Sequence, residues 1–218
     1  MDEPEHVRTT RDAYDVVATD YAEMLHGALD AQPLDRALLH TFAELVRDAG
    51  GGPVLDVGCG PGRITAYLHG LAVDVSGADL SLAMVREAQR RVPALHFEVA
   101  ALTALDVPDA SLAGLVAWYS IIHTPPAELP AAFAEFARVV RPHGQLLLAF
   151  QATTTTTAEA VQLERPYGHD VELTAYRLPT EQVVADLSAA GMTVTARLVR
   201  EPTGSERTPQ AYLLAERD

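Results

Sequence analysis

Cysteine is nearly absent: Cys59 stands alone in 218 residues, which excludes an intrachain disulfide and any zinc site built from several cysteines. Positive charge is scarce too, with 16 Lys and Arg against 30 Asp and Glu and a formal net charge of −14. Such a balance repels phosphate backbones, so nucleic acid is not expected as a partner. Arg86, Arg90 and Arg91 share one expected helix and read as a solvated face. Although 48% of the residues are hydrophobic, no apolar run approaches the roughly 18 residues of a membrane span, and no membrane association is expected. The opening Met1-Asp2-Glu3-Pro4-Glu5 is acidic and has no basic stretch followed by an apolar one, so a signal peptide is not expected and the anticipated location is cytoplasmic. No internal repeat is visible. The length fits one domain with a sizeable core.

What the chain does have is Val54-Leu55-Asp56-Val57-Gly58-Cys59-Gly60-Pro61-Gly62-Arg63. An apolar run of buried-strand type meets three glycines, and a helix-compatible segment begins at Ile64. Without a Cβ, Gly58, Gly60 and Gly62 can take positive φ and let a ligand lie against bare backbone. A dinucleotide fingerprint needs G-x-G-x-x-G, whereas this loop reads G-x-G-x-G. Asp56 would also oppose a pyrophosphate, and a cationic ligand suits it better. The loop resembles motif I of the class I S-adenosylmethionine-dependent methyltransferases. That resemblance implies that Asp56, Gly58, Gly60 and Gly62 hold the amino acid end of S-adenosyl-L-methionine, with Cys59 filling space inside the loop. Asp79 falls 21 residues after Gly58 at the end of an expected second strand, where a carboxylate can accept from both ribose hydroxyls of an adenosine-bearing cofactor. By the same resemblance Leu80 packs on adenine. The acid that the family usually places after the third strand is missing from Ala100-Ala101-Leu102. Ala101 and Leu102 are then expected beside adenine, with Thr103 or backbone groups in place of the acid.

Upstream, the pattern from Val7 to about Leu29 is helical, and a second helix is expected from about Leu34 to Ala49. The first resembles the N-terminal helix that closes over the cofactor in many small-molecule methyltransferases, which implies that Tyr14 and Tyr21 touch cofactor or substrate; amphipathic packing is the plainer alternative. Leu112 to Tyr119 is a near-continuous apolar run, as in a strand covered on both faces. Its continuation through Trp118, Ser120 and His123 lies where open α/β sheets bind ligands and resembles motif IV of the family. Trp118 and Ser120 would line the floor. A neutral His123 imidazole is a candidate base for an acceptor hydroxyl, or else orders the loop.

Val139 to Phe150 reads as a helix stop, a turn and a fifth strand. Residues 151–178 then interrupt the alternation, and the Thr153 to Thr157 run is expected as an exposed flap. In the resembling family such an insert covers the acceptor pocket, which makes Tyr167, His169 and Tyr176 candidates for the acceptor side. His169 with Asp170 lacks a third ligand, so no metal site is expected. Met192 to Val199 and Pro209 to Ala215 read as two strands whose short connection allows antiparallel pairing only.

The expectation is a single α/β domain over residues 1–218: a Rossmann-like, doubly wound, seven-stranded sheet, mostly parallel with an antiparallel last strand. Residues 1–50 form a helical cap and 151–178 an insert over the acceptor pocket. The resemblance implies O- or N-methylation of a small-molecule acceptor, leaving S-adenosyl-L-homocysteine, by a monomer or homodimer, with His123 and His169 on the acceptor side. A non-catalytic cofactor-binding module, a nucleotide-dependent oxidoreductase and a protein methyltransferase stand as alternatives.

Overall fold

Apolar runs broken by glycine and proline become alternating strands and helices in the computed structural model, which describes residues 3–204 and 206–218. Met1 and Asp2 of the acidic opening, and Ser205 of the last connection, lie outside the described residues. Helix α1 spans Glu5–Met24 and α2 spans Pro33–Asp48. Gly27 at φ +68° ends the first helical region earlier than its periodicity suggests. From there the order is β1 (Val54–Val57), α3 (Arg63–Gly70), β2 (Val75–Asp79), α4 (Leu82–Arg91), β3 (Phe97–Val99) and β4 (Leu112–Trp118). Then come α5 (Leu129–Val139), β5 (Val140–Thr153), β6 (Glu159–Gln162), β7 (Thr174–Pro179), α6 (Thr180–Ala189), β8 (Met192–Arg200) and β9 (Gln210–Arg217).

Seven strands make the main sheet in the order β3-β2-β1-β4-β5-β9-β8. The first five are parallel, β9 runs against both its neighbours, and so β8 points the same way as β5. This is the expected doubly wound sheet with an antiparallel last strand. The total is nine strands rather than seven, because the insert is not a plain flap: β6 and β7 form an antiparallel hairpin, and β7 pairs with the last two residues of β5. Only Thr154 to Thr157 form the exposed bend that the composition suggests.

Each face of the sheet carries its own core, as a doubly wound sheet requires. On one, Leu39, Phe42 and Val46 of α2 meet Val54, Val116, Leu147 and Leu214. On the other, Phe133 and Phe136 of α5 meet Leu55, Leu115, Leu146 and Leu213. Strand β4 is buried at every position, which places its C-terminal end in the middle of the molecule. Among the described residues no helix is long and apolar enough to cross a membrane.

Candidate functional site

The glycine loop folds back on β2: the N–H groups of Gly58 and Cys59 both donate to the Ala78 carbonyl, at 2.7 and 3.0 Å. Gly58, Gly60 and Gly62 have φ of +68°, +53° and +81°, conformations that side-chain-bearing residues rarely adopt. Gly58 is doubly constrained, since a Cβ there would lie 2.2 Å from the Cβ of Ser120. The loop after β1 and the loop after β4 therefore touch backbone to side chain.

Across from the glycines, the Asp79 carboxylate ends β2 and accepts the Gly60 N–H at 2.8 Å and the Ser81 N–H at 2.9 Å. Burial pushes its pKa up to about 6, against the pull of those two N–H donors. Ser81 caps α4 by accepting from the Met84 N–H at 3.1 Å, the usual service of a serine at a helix start. Its hydroxyl donates to Asp15 of α1 at 2.6 Å, and the Ala83 N–H reaches the same oxygen at 3.0 Å. An acid in α1 thereby fastens that helix over the start of α4.

A second fastening uses His123. Its Nδ1 lies 2.7 Å from the Thr174 carbonyl, which can only accept, so Nδ1 carries the proton. Burial lowers the pKa of His123 to about 4, which keeps the ring neutral. Its Nε2 is thus an acceptor for the Tyr14 hydroxyl at 2.8 Å. Tyr14 meets Tyr21 edge to face, with ring centres 5.8 Å apart. Tyr167 of the insert stands edge-on to Tyr21 at 4.8 Å. Strand β7, the loop after β4, α1 and the insert are joined through these rings.

Between them lies a cavity of about 310 Å³, at the C-terminal ends of the parallel strands, where open α/β sheets take their ligands. Of the residues singled out in the sequence, Tyr14, Tyr21, Gly58, Gly60, Asp79, Leu80, Ala101, Leu102, Thr103, Trp118, Ser120 and His123 line it. The indole N–H of Trp118 and the hydroxyl of Ser120 are buried and find no partner among the described residues.

Six others, Asp56, Cys59, Gly62, Tyr167, His169 and Tyr176, do not line it. Asp56 is fully buried beneath the loop and turned toward α3, where Thr65 donates to it at 2.6 Å. Cys59 packs with Val85, Ala88 and Phe97 under the sheet edge. A Cβ on Gly62 would meet Phe97 at 3.0 Å, so this glycine serves packing. His169 lies outside the cavity, hydrogen-bonded to Asp20 of α1 at 2.6 Å. The turn at 166–168 puts Tyr167 at φ +56°, and it is Tyr167, not His169, that joins the aromatic group under α1.

The sequence reading missed Glu3, Pro4, His6, Val7 and Thr10 of the α1 start, together with Met84, Ala100, Tyr119, Thr124 and Glu128. Asp15 was the available signal for the first group, but its partner Ser81 is 66 residues away. Tyr119, at φ +58°, turns the chain at the end of β4, a backbone strain that no residue pattern announces.

Residues 54–144 match the family described as methyltransferase domain. The malonyl-[acyl-carrier protein] O-methyltransferase of Pseudescherichia vulneris is 33% identical over 138 residues, which cover 63% of this chain and 53% of that protein. The O-methyltransferase cnsE of Penicillium expansum is 32% identical over 170 residues, covering 67% of this chain and 60% of that one. The chain thus spans little more than half the length of these curated relatives. Among solved structures, magnesium protoporphyrin IX methyltransferase from Synechocystis PCC 6803 with bound S-adenosylmethionine superposes with a TM-score of 0.73 over the whole of both chains at 20% identity. That likeness is one of fold.

Proposed function

We propose, for a chain whose residues 54–144 are a class I methyltransferase domain, that it transfers the methyl group of S-adenosylmethionine to an oxygen or nitrogen of a small-molecule acceptor. The observation that carries the reading is the clasp at the cavity rim: the Asp79 carboxylate is held by the Gly60 and Ser81 N–H groups beside the bare backbone of Gly58 and Gly60. Charge supports the same fit. Among the described residues, Asp79, Glu3 and Glu128 line the cavity and no lysine or arginine does, which suits a sulfonium cation and would oppose a diphosphate. At about 310 Å³ the space lies at the low end of small-molecule pockets.

In this reading Gly58 and Gly60 present backbone to the amino acid end, Asp79 takes the ribose hydroxyls, and Leu80 and Leu102 flank the adenine. When bound, the donor supplies a methyl group already activated on its sulfur. The chain then has to hold an acceptor lone pair in line and keep water away, and alignment of that kind is worth ~7 to 11 kcal/mol in favourable cases. Helix α1 roofs the cavity through Asp15 and Tyr14, so residues 1–50 act as the cap. The 151–178 insert supports that roof through Tyr167 and the Thr174 carbonyl. His123 directs Tyr14 rather than standing free as a base, because its acceptor nitrogen is already engaged. The protein acts as a monomer or homodimer, without nucleic acid. The relatives named for a malonyl carrier substrate act on a group that ends in a carboxylate, and no cation in this cavity lining answers to one.

Calorimetry with S-adenosylmethionine and with NAD, followed by incubation with a radiolabelled methyl donor and small hydroxyl and amine acceptors, tests the reading. Micromolar affinity for the first cofactor with label transfer is expected. Affinity for NAD alone would refute it, and binding without transfer to any acceptor would favour a non-catalytic module.

A further inference from the structure

We infer that Tyr212 and Asp35, neither of which lines the cavity, are positioning residues of the site. Through Tyr119 they fix the floor beside Gly58 on which the amino acid end of the cofactor lies, a role that rests on the cofactor reading above. Tyr212 of β9 is 1% exposed, the largest fully buried side chain among the described residues. Its hydroxyl is a hub. It lies 2.9 Å from a carboxylate oxygen of Asp35 in the first turn of α2, 3.2 Å from Nε of Arg200 at the end of β8, and 3.2 Å from the hydroxyl of Tyr119.

Counting protons fixes the direction of each bond. A carboxylate only accepts and a guanidinium only donates, so Tyr212 gives its proton to Asp35 and takes one from Arg200. The lone pair that remains accepts from Tyr119, whose own proton is therefore spent on the core and not on a bound molecule. Glu206 holds Arg200 in turn, 2.6 Å from Nη2. Every valence of the Tyr212 oxygen is used, as a rigid buried network requires.

Tyr119 is the member of this network that reaches the cavity. Its φ of +58° is rare for a residue with a side chain and persists where the surroundings over-determine it. Two bonds do so: its N–H donates to the Ala149 carbonyl at 2.8 Å, and its hydroxyl donates to Tyr212. On one side of this turn Trp118 meets the rings of Tyr119 and Tyr212, with centres 6.1 and 5.6 Å apart. On the other, Ser120 is brought so close to Gly58 that a Cβ there would lie 2.2 Å away. Loosening Tyr119 thus shifts the wall that faces Gly58. A phenylalanine at 212 would fill the same core space; what the hydroxyl and the buried acid add is the hold on Tyr119.

The test measures S-adenosylhomocysteine affinity of the full chain by calorimetry at pH 7.5, beside unfolding midpoints in urea. Tyr212→Phe and Tyr119→Phe should each weaken binding about three- to tenfold, the worth of one hydrogen bond. The double variant should match the weaker single within about twofold, because both break the same link. Tyr212→Phe should still lower the unfolding midpoint in the Tyr119→Phe background, since Asp35 and Arg200 lose their partner there too. Asp35→Ala, which frees the Tyr212 proton to oppose that of Tyr119, should weaken binding like Tyr212→Phe, and Asp35→Asn, which keeps an acceptor, should restore it to within about twofold. The Asp35 pair carries the test if Tyr212→Phe does not fold. Unchanged affinity in folded Tyr212→Phe or Asp35→Ala, losses that multiply in the double variant, or no recovery in Asp35→Asn overturns the positioning role and leaves the cofactor reading standing. Absence of S-adenosylhomocysteine binding by the natural chain removes both.

Discussion

The carboxyl group of Asp56 gives the most direct physical test of the core beneath the glycine loop. It is fully buried, one oxygen accepts from Thr65 at 2.6 Å, and the other has no partner among the described residues. Burial, reinforced by the nearby Asp79, pushes its pKa from the ordinary 3.8 to about 7, against the pull of Thr65 and Arg63. Its folded pKa lies above its unfolded one, so this acid stabilises the fold fully below pH 3.8, and the contribution is lost as pH rises through 7. Over pH 5 to 7 the loss from this one group is ~2 kcal/mol, since each pH unit in which folded and unfolded forms differ by a full proton is worth ~1.4 kcal/mol. Asp56→Asn keeps the shape and an acceptor for Thr65 but removes the proton. Urea unfolding of the cofactor-free protein should therefore show the natural chain losing ~2 kcal/mol more than the variant between pH 5 and 7. The offset between the two proteins at any one pH mixes packing with charge, whereas the difference in slope isolates the proton. Parallel curves, or a natural chain that gains stability over that range, would refute the reasoning.

Asp79→Asn should weaken S-adenosylmethionine binding about 10- to 100-fold, taking two hydrogen bonds to a charged group at the low end of ~1.5 to 3 kcal/mol each and allowing for imperfect additivity; an unchanged dissociation constant in calorimetry would remove Asp79 from the site. Gly58→Ala should lower the unfolding midpoint through both its φ of +68° and the 2.2 Å approach to Ser120. Adding Ser120→Gly should recover only part, because the backbone strain of ~1 to 2 kcal/mol stays. Because His123 releases its proton near pH 4, turnover between pH 6 and 9 should show no ionisation assignable to it, and His123→Gln, measured across that range, should change the amplitude of the rate profile but not its inflections. Tyr14→Phe breaks the link to His123 and should raise KM for the acceptor severalfold in steady-state assays.

The features legible in the sequence are those whose cause is local. Positive φ at Gly58 and Gly60 needs glycine, the end of a buried parallel strand needs an unbroken apolar run such as Leu112 to Trp118, and Asp79 sits at a spacing from Gly58 set by one strand–helix–strand unit. Asp56 was legible as an acid but not in its direction: two residues before Gly58, the strand alternation aims it at Thr65 of α3 instead of at the cavity. His169 and Tyr167 differ by two residues and both meet α1; the left-handed turn at 165–167 decides that Tyr167 joins the aromatic group while His169 pairs with Asp20 outside the cavity. The β6–β7 hairpin was hidden because β6 has just four residues with alternate exposure, too few for periodicity, and it follows a run of threonines. The roof residues Glu3 to Thr10 carry no signal of their own. Their place follows from where Asp15 and Tyr14 dock, across 66 and 109 residues of chain.

Strand β9 runs opposite to β5, and just past it the Asp218 N–H is bonded to the Gly191 carbonyl, at the end of the sheet opposite the cavity. Glu3 and Pro4, by contrast, are part of the cavity wall. A change at Glu3 or Pro4 therefore alters the cavity wall itself, whereas one at Asp218 touches no lining residue.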